Sequence, residues 1–136
     1  MEAQTYCIAE RLRRAGVPVT LQRIEIARVL LSKPVHMAAD QVLAKVRSNM
    51  PEVSRATVYN TLKLFCDKGL IKELIVDPER AFYDSNTEPH FHLYDVDSGK
   101  LSDIPADEMQ IVGTPALPAG VRLEQVDVIV RVRSSI

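Results

Sequence analysis

Gly and Pro punctuation is the feature that most restricts this chain. Gly16 with Pro18, then Pro34, Pro51 and Gly69, cut the first half into segments that suit only short helices. Ile8, Leu12 and Ala15 recur at helical spacing before the first break. Thr20 is a suitable N-cap for a second helix, with Arg23 where a capping box would place Glu or Gln. The apolar stripe Ile24, Ala27, Leu30 and Leu31 follows it. A third helix is expected over residues 38–49, with Val42, Leu43 and Val46 inward and His36 in the turn before it. Ser54 caps a fourth helix. Its Val58, Leu62, Phe65 and Cys66 share one face, while Arg55, Tyr59, Asn60 and Lys63 share the other. Gly69 suits the position just past its end. Two strand-like runs, residues 71–76 and 81–84, then flank the turn Asp77-Pro78-Glu79-Arg80. Helices followed by a β-hairpin in this order describe a winged helix-turn-helix whose fourth helix would read DNA.

The second half reads as strands. Residues 90–96 and 101–104 flank the turn Asp97-Ser98-Gly99-Lys100. Pro105, Pro115 and Pro118 leave room for at most a short helix over residues 107–112. Residues 121–132 read as one long valine-rich strand, suited to a dimer interface. Val121 and Leu123 are out of register with the later valines, which predicts a bulge near Glu124 and Gln125. The expected class is therefore α+β. A winged helix-turn-helix over residues 1–85 precedes a small α/β dimerisation domain over residues 86–136, built on a three-stranded antiparallel sheet.

Charge divides along the same line. Residues 1–72 hold 12 Lys and Arg against 6 Asp and Glu, and residues 73–136 hold 5 against 12. A basic half beside an acidic one fits a nucleic-acid-facing domain joined to one with another task, and uneven solvated charge fits it too. Arg11, Arg13 and Arg14 then read as phosphate contacts rather than as a solvated face. Aromatic residues are only 5% of the chain and Trp is absent, so large core anchors are few and oligomerisation is one remedy. No apolar run reaches the ~18–20 residues that span a bilayer. Mixed charges near the N-terminus do not read as a signal peptide. Cys7 and Cys66 form no C-x-x-C pair, so a cytoplasmic protein without disulfides is expected. Cys66 reads as a small buried hydrophobe and Cys7 as inert.

Only three histidines occur: His36, His90 and His92. The last two form an H-x-H pair in an expected strand, where residues i and i+2 share a face. Asp84 ends the hairpin and Asp103 lies on the next strand. A His/Asp set suits Fe(II), Mn(II) or Zn(II), although H-x-H alone equally fits a surface pair without function. A metal-activated water would make the set an enzyme site. Against that, no α/β pocket scaffold is visible, and no Glu or His stands beyond the ligand set as a general base.

The stretches LRRAGVPVTLQR, VHMAADQVL, SRATVYNTLKLFCDKGLIKEL and AFYDSNTEPHFHLYDVDSGKLSDI resemble, in order and spacing, the ferric uptake regulator (Fur) superfamily over nearly the whole chain. That resemblance implies a transcription regulator that is not an enzyme. It would be a homodimer binding inverted-repeat double-stranded DNA, with no membrane and no small-molecule substrate as partner. It assigns one divalent metal per subunit, Fe2+, Mn2+ or Zn2+, to His36, Asp84, His90, His92 and Asp103, fixing the angle between the two halves. It assigns DNA contact to Arg13, Arg14, Gln22, Arg23, Arg55, Thr57, Tyr59, Asn60 and Lys63.

The chain departs from the family pattern in two places. Asp95 and Ser98 stand where the first zinc-binding C-x-x-C pair would be, and no later pair exists, so no structural zinc is expected. Pro89 and Phe91 stand at secondary-site positions. These departures, the motif ATVYNTL and the ending LPAGVRLEQVDVIVRVR resemble the iron response regulator (Irr) branch of α-proteobacteria, which answers to iron and haem status. Haem, if bound, would use His90 and His92. The Cys-Pro haem motif is absent, because Ile8 follows Cys7. Asp84 and Asp103 also match the ligand pattern of peroxide-sensing members, in which bound iron oxidises a coordinating His.

Overall fold

The computed structural model describes residues 2–135, so Met1 and Ile136, the outer limits of the two expected domains, lie outside the described residues. The chain divides into two compact units, Met1–Thr87 and Glu88–Ile136.

Unit 1 contains α1 (Glu2–Arg14), α2 (Leu21–Leu31), β1 (His36–Ala38), α3 (Ala39–Asn49), α4 (Arg55–Asp67), β2 (Lys72–Asp77) and β3 (Arg80–Asp84). The Thr20 hydroxyl accepts from the Arg23 amide, and that of Ser54 from the Thr57 amide, so both foreseen N-caps form. At α3 the Gln41 side-chain oxygen reaches back to the Ala38 amide, 2.8 Å away. Gly69, at φ 74°, ends α4 in a Schellman motif: the Leu70 amide reaches the Phe65 carbonyl and the Gly69 amide that of Cys66. Leu12, Ile26, Leu30, Val42, Val46, Val58, Leu62 and Phe65 are wholly buried, and they gather the four helices round one core. Phe65 is the one aromatic ring among them. Burying it contributes on the order of 1.5–3 kcal/mol.

One carboxylate is buried in this unit. Glu25 accepts from Arg28 and, at 2.9 Å, from the Asn49 amide, while Arg28 also donates to the Thr5 hydroxyl at 3.0 Å. The cluster joins α1, α2 and α3 and offsets the desolvation cost of the charge. β1 was not foreseen, since His36 was expected in a turn. Instead β1 pairs antiparallel with β3, giving a sheet of order β1-β3-β2. Hydrogen bonds between Val35 and Ser85 close its end.

Unit 2 contains β4 (Phe91–Asp95), β5 (Lys100–Ile104) and β6 (Ile129–Val132), in the order β5-β4-β6. The expected antiparallel sheet is instead mixed, because β6 runs parallel to β4. Parallel pairing needs a long crossover, and residues 105–128 supply it. The expected long strand over residues 121–132 shrinks to β6. The β4 edge it pairs with is only five residues long, and the His92 amide to Val128 carbonyl bond opens the pairing. No strand reaches Glu124 and Gln125, so the expected bulge does not form. The expected short helix over 107–112 is also absent; a turn closed by the Glu108 amide on the Pro105 carbonyl stands there. Three prolines and a glycine between residues 105 and 118 explain the lack of a helix.

The turn between β4 and β5 is closed by one side chain. Asp95 Oδ1 accepts from the amides of Asp97 (2.9 Å) and Ser98 (3.2 Å), and its carbonyl accepts from Gly99. Asp97 in turn accepts from the Ser134 amide at 2.6 Å and faces the Arg133 guanidinium at 3.7 Å, tying the turn to the end of β6. Leu101 and Tyr94 are the buried apolar residues of this unit, and Ile111, Val112, Leu117, Val121, Leu123 and Val126 are exposed. Among the described residues no helix is long and apolar enough to cross a membrane.

Candidate metal centre and nucleic-acid face

In unit 2 the β4–β5 ladder sets His92 directly opposite Asp103. His90 lies just before β4, two residues upstream and so on the same side. Its Nδ1 is 2.6 Å from the Glu88 carbonyl. A carbonyl can only accept, so that nitrogen carries the proton, and the lone pair of a neutral ring falls on Nε2. Nε2 of His90 is 3.3 Å from Asp103 Oδ1, and Nε2 of His92 is 3.6 Å from the same oxygen. The two rings lie 4.4 Å apart between centroids. A lone pair facing a carboxylate needs a positive charge between them, either a proton or a metal ion. Four ligands about 2.05 Å from a tetrahedral ion stand ~3.3 Å apart, so the spacing fits a metal. His92 is buried, whereas Asp103 is half exposed, so the cluster opens to solvent on the carboxylate side.

The two remaining expected ligands belong to unit 1. His36 and Asp84 stand opposite each other in the β1–β3 ladder, with Lys72 across from Asp84 on the other side. Asp84 is buried, and one of its oxygens accepts from the Asn86 amide. A buried carboxylate is retained only where charge or hydrogen bonds compensate it.

A structural zinc finds no fitting donors in unit 2. Both cysteines lie in unit 1, and Asp95 and the Ser98 amide are engaged in the turn. The thiols also differ. Cys7 is exposed, whereas Cys66 is half-buried against the core, less enclosed than its place on the apolar face predicts. Burial, with help from Glu73 and Asp67, pushes the Cys66 thiol up to about 11.

The expected DNA-contacting residues lie on α1, α2 and α4. Arg55, Tyr59, Asn60 and Lys63 are exposed along one face of α4, and Thr57 sits half-buried in its first turn. Arg55 donates to the Tyr59 hydroxyl at 3.1 Å and lies 5.7 Å from its ring centre, so the pair is pre-ordered. Gln22 is exposed at the start of α2, and Arg23 spends one donor on the Pro18 carbonyl. Arg11 caps the Leu31 carbonyl, and Arg13 and Arg14 share Glu10, so part of their charge is already balanced. Behind α4, Tyr83 donates to Glu73 at 3.2 Å; burial first, and then Glu73, hold its phenol protonated far above the ordinary range. Sequence reasoning missed Glu25 and Arg80. Glu25 left a faint signal, a carboxylate inside an apolar stripe with Arg28 one turn on.

The ferric uptake regulator family matches residues 14–131. The chain belongs to the ferric uptake regulator family. Members are transcription regulators rather than enzymes, and as a family they are DNA-binding dimers. A peroxide-responsive repressor of Staphylococcus aureus is 39% identical over 92 residues, 68% of this chain and 62% of that repressor. The chain thus spans less than two thirds of the length of that relative. A ferric uptake regulator from Pseudomonas aeruginosa, solved with manganese, is 25% identical with a TM-score of 0.67, covering 93% of this chain and 97% of the other. The peroxide stress regulator of Campylobacter jejuni, 20% identical with a TM-score of 0.62 over 93% of each chain, shares the fold.

Proposed function

We propose that this chain is a metal-responsive transcription regulator binding inverted-repeat DNA as a homodimer. In this reading unit 1 is a winged helix-turn-helix with α4 as recognition helix and the β2–β3 hairpin as wing. Unit 2 is the dimerising and metal-sensing part. The observation that carries the reading is the convergence of His90, His92 and Asp103, whose ligand atoms lie within 4.8 Å of one another. His36 and Asp84 complete the ligand set, and the bound Fe2+, Mn2+ or Zn2+ supplies the cation that the Nε2 atoms face. The exposed apolar residues between 111 and 126 support a dimer, since such a surface needs cover. Iron or haem status, as in the Irr branch, is the effector that the missing zinc pairs favour. A second reading, a peroxide-sensing repressor, is favoured by the 39% identity to the S. aureus repressor.

Metal content and DNA affinity of the purified protein, measured with and without Fe2+, Mn2+, haem and hydrogen peroxide, test both readings. His90→Ala and His92→Ala should each abolish tight metal binding and the metal effect on DNA affinity, and leave a folded dimer. His36→Ala should lose the metal effect on DNA while keeping much of the metal affinity. A His36→Ala protein with the full metal-dependent change in DNA binding would refute a role for His36 in the switch. Loss of DNA binding after peroxide, with oxidation of a ligand His, favours the second reading; a haem-dependent loss favours the first.

A further inference from the structure

A cleft of about 430 Å³ opens on unit 1 between the start of α3, the exposed face of α4 and the hairpin. Tyr59, Tyr83, Asp40, Glu79 and Arg80 line it, with the backbone of Ala38 and Ala39 at its floor. Arg80 begins β3, and its guanidinium lies 5.0 Å from the ring centre of Phe82, two residues on and on the same face of the strand. Phe82 is buried, so the arginine is held against a fixed ring. Arg80 Nε is shielded from water and has no hydrogen-bond partner, and among the described residues Arg80 makes no ion pair. A shielded donor left unmade costs on the order of 1–3 kcal/mol. Such a group in a native fold needs an explanation.

We infer that Arg80 seats one phosphate of the DNA strand that passes over α4. This rests on the regulator reading above. Tyr59 lines the same cleft and belongs to the face that would meet bases, so a strand engaged by α4 runs past the mouth. Asp40 and Glu79 are exposed at the rim and make the cleft net negative. A free anion therefore gains little there. A phosphate held in place by the other contacts of the duplex can approach the guanidinium between them. Stacking on Phe82 fixes the fork beforehand, so little side-chain freedom is lost on contact. A phosphate contact carries no sequence information, so Arg80 contributes equally on any duplex.

The test compares the parent with Arg80→Gln and Arg80→Lys on a duplex selected from a random pool and on a scrambled duplex. Affinity is read by fluorescence anisotropy from 50 to 200 mM salt, and thermal stability is measured in parallel. Losing one phosphate contact should make the log affinity versus log salt slope shallower by about 0.9. The Arg80→Gln deficit should be the same on both duplexes and shrink about 3–4-fold across that salt range. Arg80→Lys should keep the parent slope. If Arg80→Gln keeps the parent slope and only melts earlier, Arg80 merely packs on Phe82 and the inference is wrong. A parent protein that binds neither duplex overturns the regulator reading itself.

Discussion

Single residues in this chain are set by what surrounds them more than by type. Cys7 and Cys66 are chemically identical, yet one is exposed and the other half-buried with its thiol raised to about 11. Only the thiolate attacks an alkylating agent. At pH 8 Cys7 should label with iodoacetamide quickly and Cys66 many times more slowly, until denaturant makes the rates equal. Equal rates in the native protein would contradict the burial of Cys66. The same shift has a sign for stability. An acid raised on folding holds its proton in the native state after the unfolded chain has lost it, so stability falls as pH rises from 9 towards 11. The sequence placed Cys66 on the apolar face of α4 but not its depth, which depends on Tyr83 and Glu73 from the hairpin. The pairing of Glu25 with Arg28 and Asn49 was hidden for the same reason, since Asn49 is 24 residues away.

At the scale of elements, caps and breakers told most of the story. Thr20, Ser54 and Gly69 act locally, and a local hydrogen bond is readable from a local pattern. Strand pairing is not local. β1 exists only because β3 offers it an edge, and β6 is short only because β4 is short. Nothing within residues 36–38 or 121–132 records those partners, which is why both were misjudged. The β4–β5 ladder was legible because a six-residue turn with a strong Asx signal set its register, and that register brings His92 to Asp103. The α4 face carries its own expectation. Tyr59→Ala should weaken binding to the selected duplex much more than to a scrambled one, because Tyr59 is pre-ordered by Arg55 at the exposed surface. Lys63→Ala should instead lower the salt slope by about one. Anisotropy titrations of both variants at several salt concentrations decide the matter. Parent-like binding by both would remove α4 from the interface.

For the whole molecule, the two units differ in what they can hold together alone. Unit 1 owns the large apolar core, whereas unit 2 buries few apolar side chains of its own and exposes many. Assembly is therefore expected to matter most for unit 2, and metal least for keeping the fold. After exhaustive chelation, the far-ultraviolet circular dichroism should be unchanged, and sedimentation at micromolar concentration should still show a dimer. A fold that depended on a bound ion would collapse under the same treatment. Either that collapse or a monomer would overturn the expectation. The dimer was anticipated from scarce aromatic residues and a valine-rich C-terminal stretch, but the sequence did not show that this stretch runs mostly as unpaired chain.

The β4–β5 turn carries a consequence of its own. Asp95 holds it by accepting two main-chain protons, and Asp97 fastens it to Ser134 and Arg133. A knuckle built on sulfur can be disarmed by oxidation or emptied when zinc is scarce. A carboxylate clasp is blind to both. A cell exposed to oxidants or starved of zinc would leave this corner of the protein unchanged, and its response would then rest wholly on the histidines a few residues away.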